Sequence, residues 1–538
     1  MLGEYKRNPY NCEPIVNIGE SCQNLISVLK DFYDVSDSHN FKREIPMGSG
    51  GGSIGWGQKL SFGTGHVLND LCASVWFSYL LVYLQYVLLI PSALSGIILL
   101  IGQIADAIAT PLVGILSDHG QCCCIGGQRL CNYGKRKIWH LTGSICVIVS
   151  FPLMFVGCMG LCEHSNGIGY LIILIALVCL FQFGWAAAQI SHLAMIPELT
   201  HVEAERDELN IIRFSFDIIT DILVYAIALI IFSQSSHNLS QVTSESGIDF
   251  MILALSITGI GIIFTVIFHV GVDEKPIKIE RPEALMGTAA VSLKTQWLGW
   301  FYNWHFYRVG ILYTAARLAH NTSIVFVPLY LQETQQSAEM LALIPLVMNI
   351  AGLLGSGLLK ITIKLYGKKA SYAMASLMGL ISCIWLVIDT NLSENAATLD
   401  PLLGPPSSDN AQFYLLASMM GGGAAMVVIL SLTSAADLID SNTETSAFVY
   451  GCMSFCDKMS SGIVVAVIQG LHSWVCEEGC TYFYAQVLIY GVGIPFIFVI
   501  ITSLLGPKTQ SEQLEGRNVK SYGTCRTEET TSLIEYVH

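Results

Sequence analysis

Long apolar runs alternate with short polar breaks along this chain, and the runs have the length of a bilayer crossing. About 20 apolar residues span the hydrocarbon core as a helix. Twelve stretches meet that length, at residues 61–88, 93–117, 138–158, 167–196, 211–233, 249–271, 307–331, 339–365, 371–390, 411–437, 446–472 and 482–506. The pattern predicts an all-α membrane protein of twelve transmembrane helices. The breaks form two sets. One set carries Arg129, Lys135, Arg136 and Lys137, then Arg206, then Lys275, Lys278, Arg281 and Lys294, then Lys368 and Lys369. The other, near 89–92, 159–166, 234–248, 332–338, 391–410 and 473–481, carries no Lys or Arg. Basic loops stay on the cytosolic side, so both termini are expected in the cytosol. One span more or fewer would scramble the alternation.

The longest basic connection, 272–306, is read as a central linker between a six-helix bundle at 59–271 and another at 307–506, with cytosolic tails at 1–58 and 507–538. The first tail is expected to be disordered. It ends in Met47-Gly-Ser-Gly-Gly-Gly-Ser53, a flexible composition. Internal repetition supports the division. Tyr133-Gly134-Lys135-Arg136 recurs as Tyr366-Gly367-Lys368-Lys369, and the segment from Pro197-Glu198-Leu199 to Ser215-Phe216 is echoed by Ala436-Asp437-Leu438 and Ser454-Phe455.

Composition agrees. Of 538 residues, 53% are hydrophobic and 13% charged, where a soluble chain has roughly 25% charged. The net charge of −14 argues against nucleic acid as a partner. Met1 to Arg7 lead into no apolar segment, so no cleavable signal peptide is expected. Absent a P-loop or a Gly-x-Ser-x-Gly elbow, the sequence does not read as an enzyme, and no metal or cofactor is expected.

Charges inside apolar runs are costly and are usually kept for function. Among them are Asp70 in the first run, Asp106 in the second, Arg213, Asp217 and Asp221 in the fifth, Arg317 in the seventh, and the neighbours Asp457 and Lys458 in the eleventh. Adjacent helical residues point about 100° apart, so Asp457 and Lys458 are expected to find partners on different helices, with Asp106 or Asp70 a partner for Lys458. Arg317, beside His320 and Asn321, suits a carboxylate ligand, and packing or gating is an equal alternative. The Asp106 run continues through Pro111 and Gly114 to Asp118. Pro111 is expected to loosen the helix and Gly114 to allow close helix approach.

The blocks Gly65-His66-Val67-Leu68-Asn69-Asp70, Asp106 to Asp118 with Tyr133 to Lys137, Phe181 to Leu199, Val309-Gly-Ile-Leu-Tyr313 with Arg317, and Ser446 to Lys458 resemble the glycoside–pentoside–hexuronide:cation symporter branch of the major facilitator superfamily. Within that branch they are most similar to a group of lysosomal and melanosomal cysteine transporters. The resemblance covers roughly residues 60–505. It implies two six-helix halves working by alternating access on a small-molecule substrate in the lipid bilayer. It further implies a cation-coupling carboxylate at Asp106, a substrate-contacting acid at Asp70 and a lysine facing the central site at Lys458. Gating charges are implied at Asp118, Lys135, Arg136, Arg213 and Asp437, with Glu198 and Asp440 as counterparts. The chain departs from the pattern at Thr110 and Gln189, where acids are usual. A hard cation favours several anionic oxygens, whereas a proton needs one titratable group. The departures therefore favour proton coupling over sodium, with uniport left open.

Asn238-Leu-Ser240 and Asn391-Leu-Ser393 are glycosylation sequons in loops of the non-cytosolic set. A third, Asn321-Thr-Ser323, falls inside a helix and is read as unused. Cys158 with Cys162, and Cys476 with Cys480, are disulfide candidates in that compartment. Cys122 to Cys124 and Cys131 are candidates for palmitoylation. In the tail, Glu529, Leu533 and Ile534 match an acidic dileucine signal for a clathrin adaptor and a lysosome-type membrane, the plasma membrane being the alternative. The substrate readings are cysteine or a related small thiol amino acid first, then a sugar or lysolipid, then a non-transporting sensor or scaffold.

Overall fold

The computed structural model describes residues 54–118, 133–156, 167–200, 202–234, 241–274, 298–399, 410–439, 446–476, 480 and 482–505. All of them belong to the compact unit Ile54–His538. They form helical rods that we number in chain order. The first six are α1 (Trp56–Val87), α2 (Ser92–Asp118), α3 (Lys135–Val156), α4 (Ile168–Leu199), α5 (Glu203–Gln234) and α6 (Gly247–Gly271). Next come α7 (Trp304–Glu333) and the run Met340–Leu399, which breaks at Gly367 (φ 79°, ψ 168°) into α8 (340–366) and α9 (368–399). The last are α10 (Asn410–Ile439), α11 (Ser446–Val475) and α12 (Phe483–Leu504).

Eleven crossings among the described residues are long and apolar enough to span a membrane by composition. The one that composition misses is α7. Its 30 residues are about 45 Å long at ~1.5 Å per residue, but Arg317, His320, Asn321, Thr322 and Ser323 interrupt its apolar run. Asn321, Thr322 and Ser323 are buried against neighbouring helices, which is where a spanning helix keeps its polar residues. Elsewhere the outer faces carry exposed Ile172, Ile263, Leu354 and Phe498, as a lipid-facing surface requires.

Several helices outrun the apolar stretches because backbone hydrogen bonding continues past the bilayer edge. α1 begins at Trp56, inside the segment expected to be tail, and its Lys59 is buried in an ion pair with Glu208 of α5. α5 begins at Glu203 instead of 211. α9 runs to Leu399, so Asn391, expected in a loop, lies on helical backbone. Asn238 lies outside the described residues.

α3 and α4, α2 and α4, and α6 with α1 and α3 pack within the first half. In the second half α10 packs on the α8–α9 run and on α7, and α12 packs on α7 and on that run. The halves meet through α2 with α11, α5 with the α8–α9 run, and α1 with α7. The α2–α11 seam is close because both helices present glycine. A Cβ on Gly96 would sit 2.7 Å from Gln469 Cβ, and one on Gly462 would sit 3.0 Å from Gln103 Cβ. Gly114, expected to serve this purpose, does not. A Cβ there would meet nothing nearer than Ile190 Cγ2 at 3.8 Å, because the close contact lies nearer the other end of α2.

The repeated Tyr-Gly-Lys segment has the same structure twice. Gly134 (φ 113°) and Gly367 (φ 79°) occupy the left-handed region that glycine tolerates, and each is followed at once by a helix start. A basic residue just beyond each glycine then reaches the acid that ends the next helix. Arg136 Nε lies 3.2 Å from Glu198 Oε1 in the first half, and Lys368 pairs with Asp437 in the second. Remote glutamates cap helix starts, whose N–H groups lack intrahelical partners. Glu274 accepts from the Arg136 and Lys137 amides at 3.1 and 2.9 Å. Glu333 of α7 accepts from those of Phe483 and Tyr484, both at 2.9 Å, at the start of α12. Cys476 and Cys480 are joined by a disulfide. Cys122 to Cys124, Cys131, Cys158, Cys162 and the dileucine-like Glu529, Leu533 and Ile534 lie outside the described residues.

Candidate functional site

Two charge groups stand back to back on α11. Lys458 faces the first half, and its Nζ lies 2.5 Å from Asp106 Oδ2 on α2 and donates to Thr110 Oγ1 at 3.2 Å. Thr110 Oγ1 in turn donates to Asp106 Oδ1 at 3.1 Å. The triangle closes because Thr110 follows Asp106 by one helical turn and so shares its face. Asp457 faces α7. Arg317 Nε donates to Asp457 Oδ2 at 2.8 Å, and Asn321 Nδ2 donates to Asp457 Oδ1 and to Ser461 Oγ, each at 2.9 Å. The sequon Asn321-Thr-Ser323 is thus spent inside the bundle.

Above these charges lies a small cavity lined by both halves. Gln103, Asn321, Thr322 and Ser461 supply hydrogen-bonding groups, and Phe77, Leu99, Val325 and Val465 supply apolar wall. Gln103 and Asn321 lie within a turn of Asp106 and Arg317 on their helices. An acid, Asp106, and a base, Arg317, thus each lie about one helical turn from a residue that lines the pocket.

Asp70 does not reach Lys458. Its Oδ1 lies 2.5 Å from His66 Nδ1 one turn earlier on α1, and its carboxylate interacts with Asp217 of α5 in the field of Arg213. Ser74 Oγ donates to Asp221 Oδ1 at 2.5 Å. The α5 stripe is thus part of a polar cluster inside the first half. Gln189 accepts from Trp185 Nε1 at 3.2 Å and joins none of the ion pairs.

Of the gating candidates, Arg136 donates to Ser117 Oγ at 2.5 Å as well as to Glu198, and Lys368 holds Asp437. These bonds lie within one half each. The side chains of Asp118 and Lys135 lie outside the described residues, as does Asp440. A set of interhalf hydrogen bonds that sequence reasoning missed lies at the opposite end, where α1 turns into α2. Gln85 Nε2 donates to Gln469 Oε1 at 3.0 Å, and Tyr484 OH donates to Gln85 Oε1 at 3.1 Å and Gln469 Oε1 at 3.2 Å. Ser92 Oγ and His472 Nδ1 are 2.9 Å apart, and Gln332 bonds to Val242 through Nε2 at 2.8 Å. All of these bonds except that between Tyr484 and Gln469, which lies within the second half, join the halves. Uncharged glutamines give no hydropathy signal that would have marked them. Among the described residues no group of three or more His, Cys, Asp or Glu side chains is placed to hold a metal ion.

Twelve helices among the described residues, interhalf charge at mid-helix and a bonded end describe a carrier of the major facilitator type. The comparisons place the chain more closely. The family model described as MFS/sugar transport protein matches residues 61–476, and the chain belongs to that family. It is similar to Major facilitator superfamily domain-containing protein 12 of Homo sapiens, with 35% identity over 474 residues covering 84% of this chain and 93% of that protein. In fold it is similar to the xylose transporter XylE from E. coli in a partially occluded inward-open conformation (TM-score 0.57, 14% identity, 84% and 99% covered). It is also similar in fold to a mutant of the nucleoside transporter NupG (TM-score 0.57, 12% identity, 84% and 100% covered).

Proposed function

We propose that this chain carries cysteine, or a related small thiol amino acid, across a lysosome-type membrane by alternating access, with a proton as the coupling ion. The observation that carries the reading is the Lys458–Asp106 bond across the halves, about one helical turn from a small cavity that both halves line. An amino acid offers a carboxylate to Arg317 or Lys458 and an ammonium to Asp106 or Asp457. Each substrate contact replaces a protein ion pair, so binding loosens the link between halves and biases the equilibrium between states. In this reading Gln85, Gln469 and Tyr484 close the non-cytosolic end, and the state described is the one facing the cytosol. Asn238 is a glycan acceptor there, and Glu529, Leu533 and Ile534 recruit the clathrin adaptor.

Radiolabelled L-cysteine uptake into proteoliposomes at two internal pH values tests this. Saturable uptake that grows with the proton gradient is expected. Equal inhibition by unlabelled xylose and by unlabelled cysteine would move the reading to a sugar carrier, and absent uptake would remove it.

A further inference from the structure

Four buried or half-buried histidines, one on each of α1, α4, α3 and α6, run from the Asp70 cluster to the basic end of the first half. None was singled out by its sequence context, because each sits alone on its helix. His66 Nδ1 lies 2.5 Å from Asp70 Oδ1. The His66 and His192 rings are 5.9 Å apart, and those of His192 and His140 are 6.0 Å apart. His140 Nδ1 lies 3.1 Å from His269 Nε2, and His269 Nδ1 lies 3.0 Å from Tyr133 OH. Tyr133 is exposed at the end of the bundle.

Two further observations separate this row from ordinary core packing. His66 Nε2 and His192 Nδ1 are buried and have no hydrogen-bond partner. Leaving such groups unpaired costs roughly 1–3 kcal/mol each, and their rings are separated by about the distance that one bridging water spans. The other nitrogens are anchored to backbone carbonyls where α1 loosens into a short 3-10 turn. His192 Nε2 pairs with Phe62 O and His140 Nε2 with Gly65 O, each at 2.8 Å. The anchors hold the rings in a line without closing the row. The charged and titratable groups facing it are Asp70, Asp217 and Arg213 at the inner end and Lys137 and Tyr133 at the outer end.

We propose that His66, His192, His140 and His269 form a proton path between the Asp70–Asp217 carboxylates and the basic end of the bundle. His66 and His269 accept a proton on one nitrogen and release the one on the other. His192 and His140, whose Nε2–H groups stay on backbone carbonyls, accept and release on Nδ1, through bridging water where the rings do not touch. Each returns to neutral after the transfer and no other reactant is consumed. The whole row lies in one half and survives the rocking of the halves. The proposal rests on the reading of the chain as a proton-linked carrier.

The test uses the full chain in lipid nanodiscs without solute. A jump from alkaline to acidic pH is followed by infrared spectroscopy of the protonated carboxyl band, which Asp70→Asn assigns. Wild type is expected to gain the band quickly. His140→Phe and His192→Phe are expected to gain it at least about tenfold more slowly, with the same final amplitude, which shows the carboxyl environment intact. His269 is half-buried at a helix end, so His269→Phe carries the same prediction if the inner variants do not fold. Wild-type rates in these variants, or no pH-dependent Asp70 band in wild type, would overturn the path. L-cysteine counterflow needs no net proton movement and is expected to persist in all three. Its absence from wild type would count against the carrier reading and leave the infrared result to decide the path.

Discussion

Lys458 on α11 and Asp106 on α2 lie 2.5 Å apart, and their bond is a charged link between the two halves. Removing one member of a buried pair leaves the other uncompensated, at about 3–5 kcal/mol. Lys458→Ala and Asp106→Asn are each expected to lower thermal stability in detergent. The double variant Asp106→Asn/Lys458→Met is expected to regain most of it, since no lone charge remains, while transport stays lost. A double variant no more stable than the singles would show that the pair is not coupled.

The α2–α11 seam predicts a conformational bias. Gly462→Leu adds a branched side chain where a Cβ alone would lie 3.0 Å from Gln103 Cβ. Overpacking costs about 1–3 kcal/mol, enough to shift the population away from the described state by roughly tenfold. Distances between spin labels on α2 and α11 check this, with broadening toward longer separations expected.

Tyr484→Phe keeps the ring and removes the hydroxyl that bonds to Gln85 and Gln469. Of the two bonds only that to Gln85 joins the halves, so at roughly 1 kcal/mol per hydrogen bond opening at this end becomes about fivefold easier. Hydrogen exchange in the last turn of α1 and the last turn of α11 is expected to quicken, with little change near Gly134.

Glu274, just beyond α6, has its carboxyl pushed above the ordinary range, first by burial and then by the neighbouring Glu198, although the amides of Arg136 and Lys137 oppose the shift. A carboxyl whose pKa is higher in the folded state binds its proton more tightly there. Its contribution to stability is complete at pH below the unfolded value and is lost as pH rises through the folded value. Melting curves across pH are expected to show that decline in wild type and a flatter profile in Glu274→Gln.

Much of the fold was legible because its signals are local. Apolar run length gave the crossings, and it outperformed bulk hydropathy at α7, where the break pattern on either side required a span. The 100° turn between neighbours separated Asp457 from Lys458 before any partner was visible. The Tyr-Gly-Lys repeat marked two equivalent corners, although it did not reveal that Arg136 and Lys368 bond within their own halves. What stayed hidden depends on tertiary approach. His66, His140, His192 and His269 come from four helices, and Gln85, Gln469 and Tyr484 come from three. Gly114 shows the converse error, since a glycine in a helix reports only that approach is permitted and not where it occurs.

Solute is expected to pass by opening the Lys458–Asp106 link. The most direct measurement is L-cysteine counterflow in proteoliposomes with wild type, Lys458→Ala and Asp106→Asn at equal amounts of folded protein. The account predicts robust exchange in wild type and a loss of about tenfold or more in both variants. Exchange at the wild-type rate in both variants would contradict it.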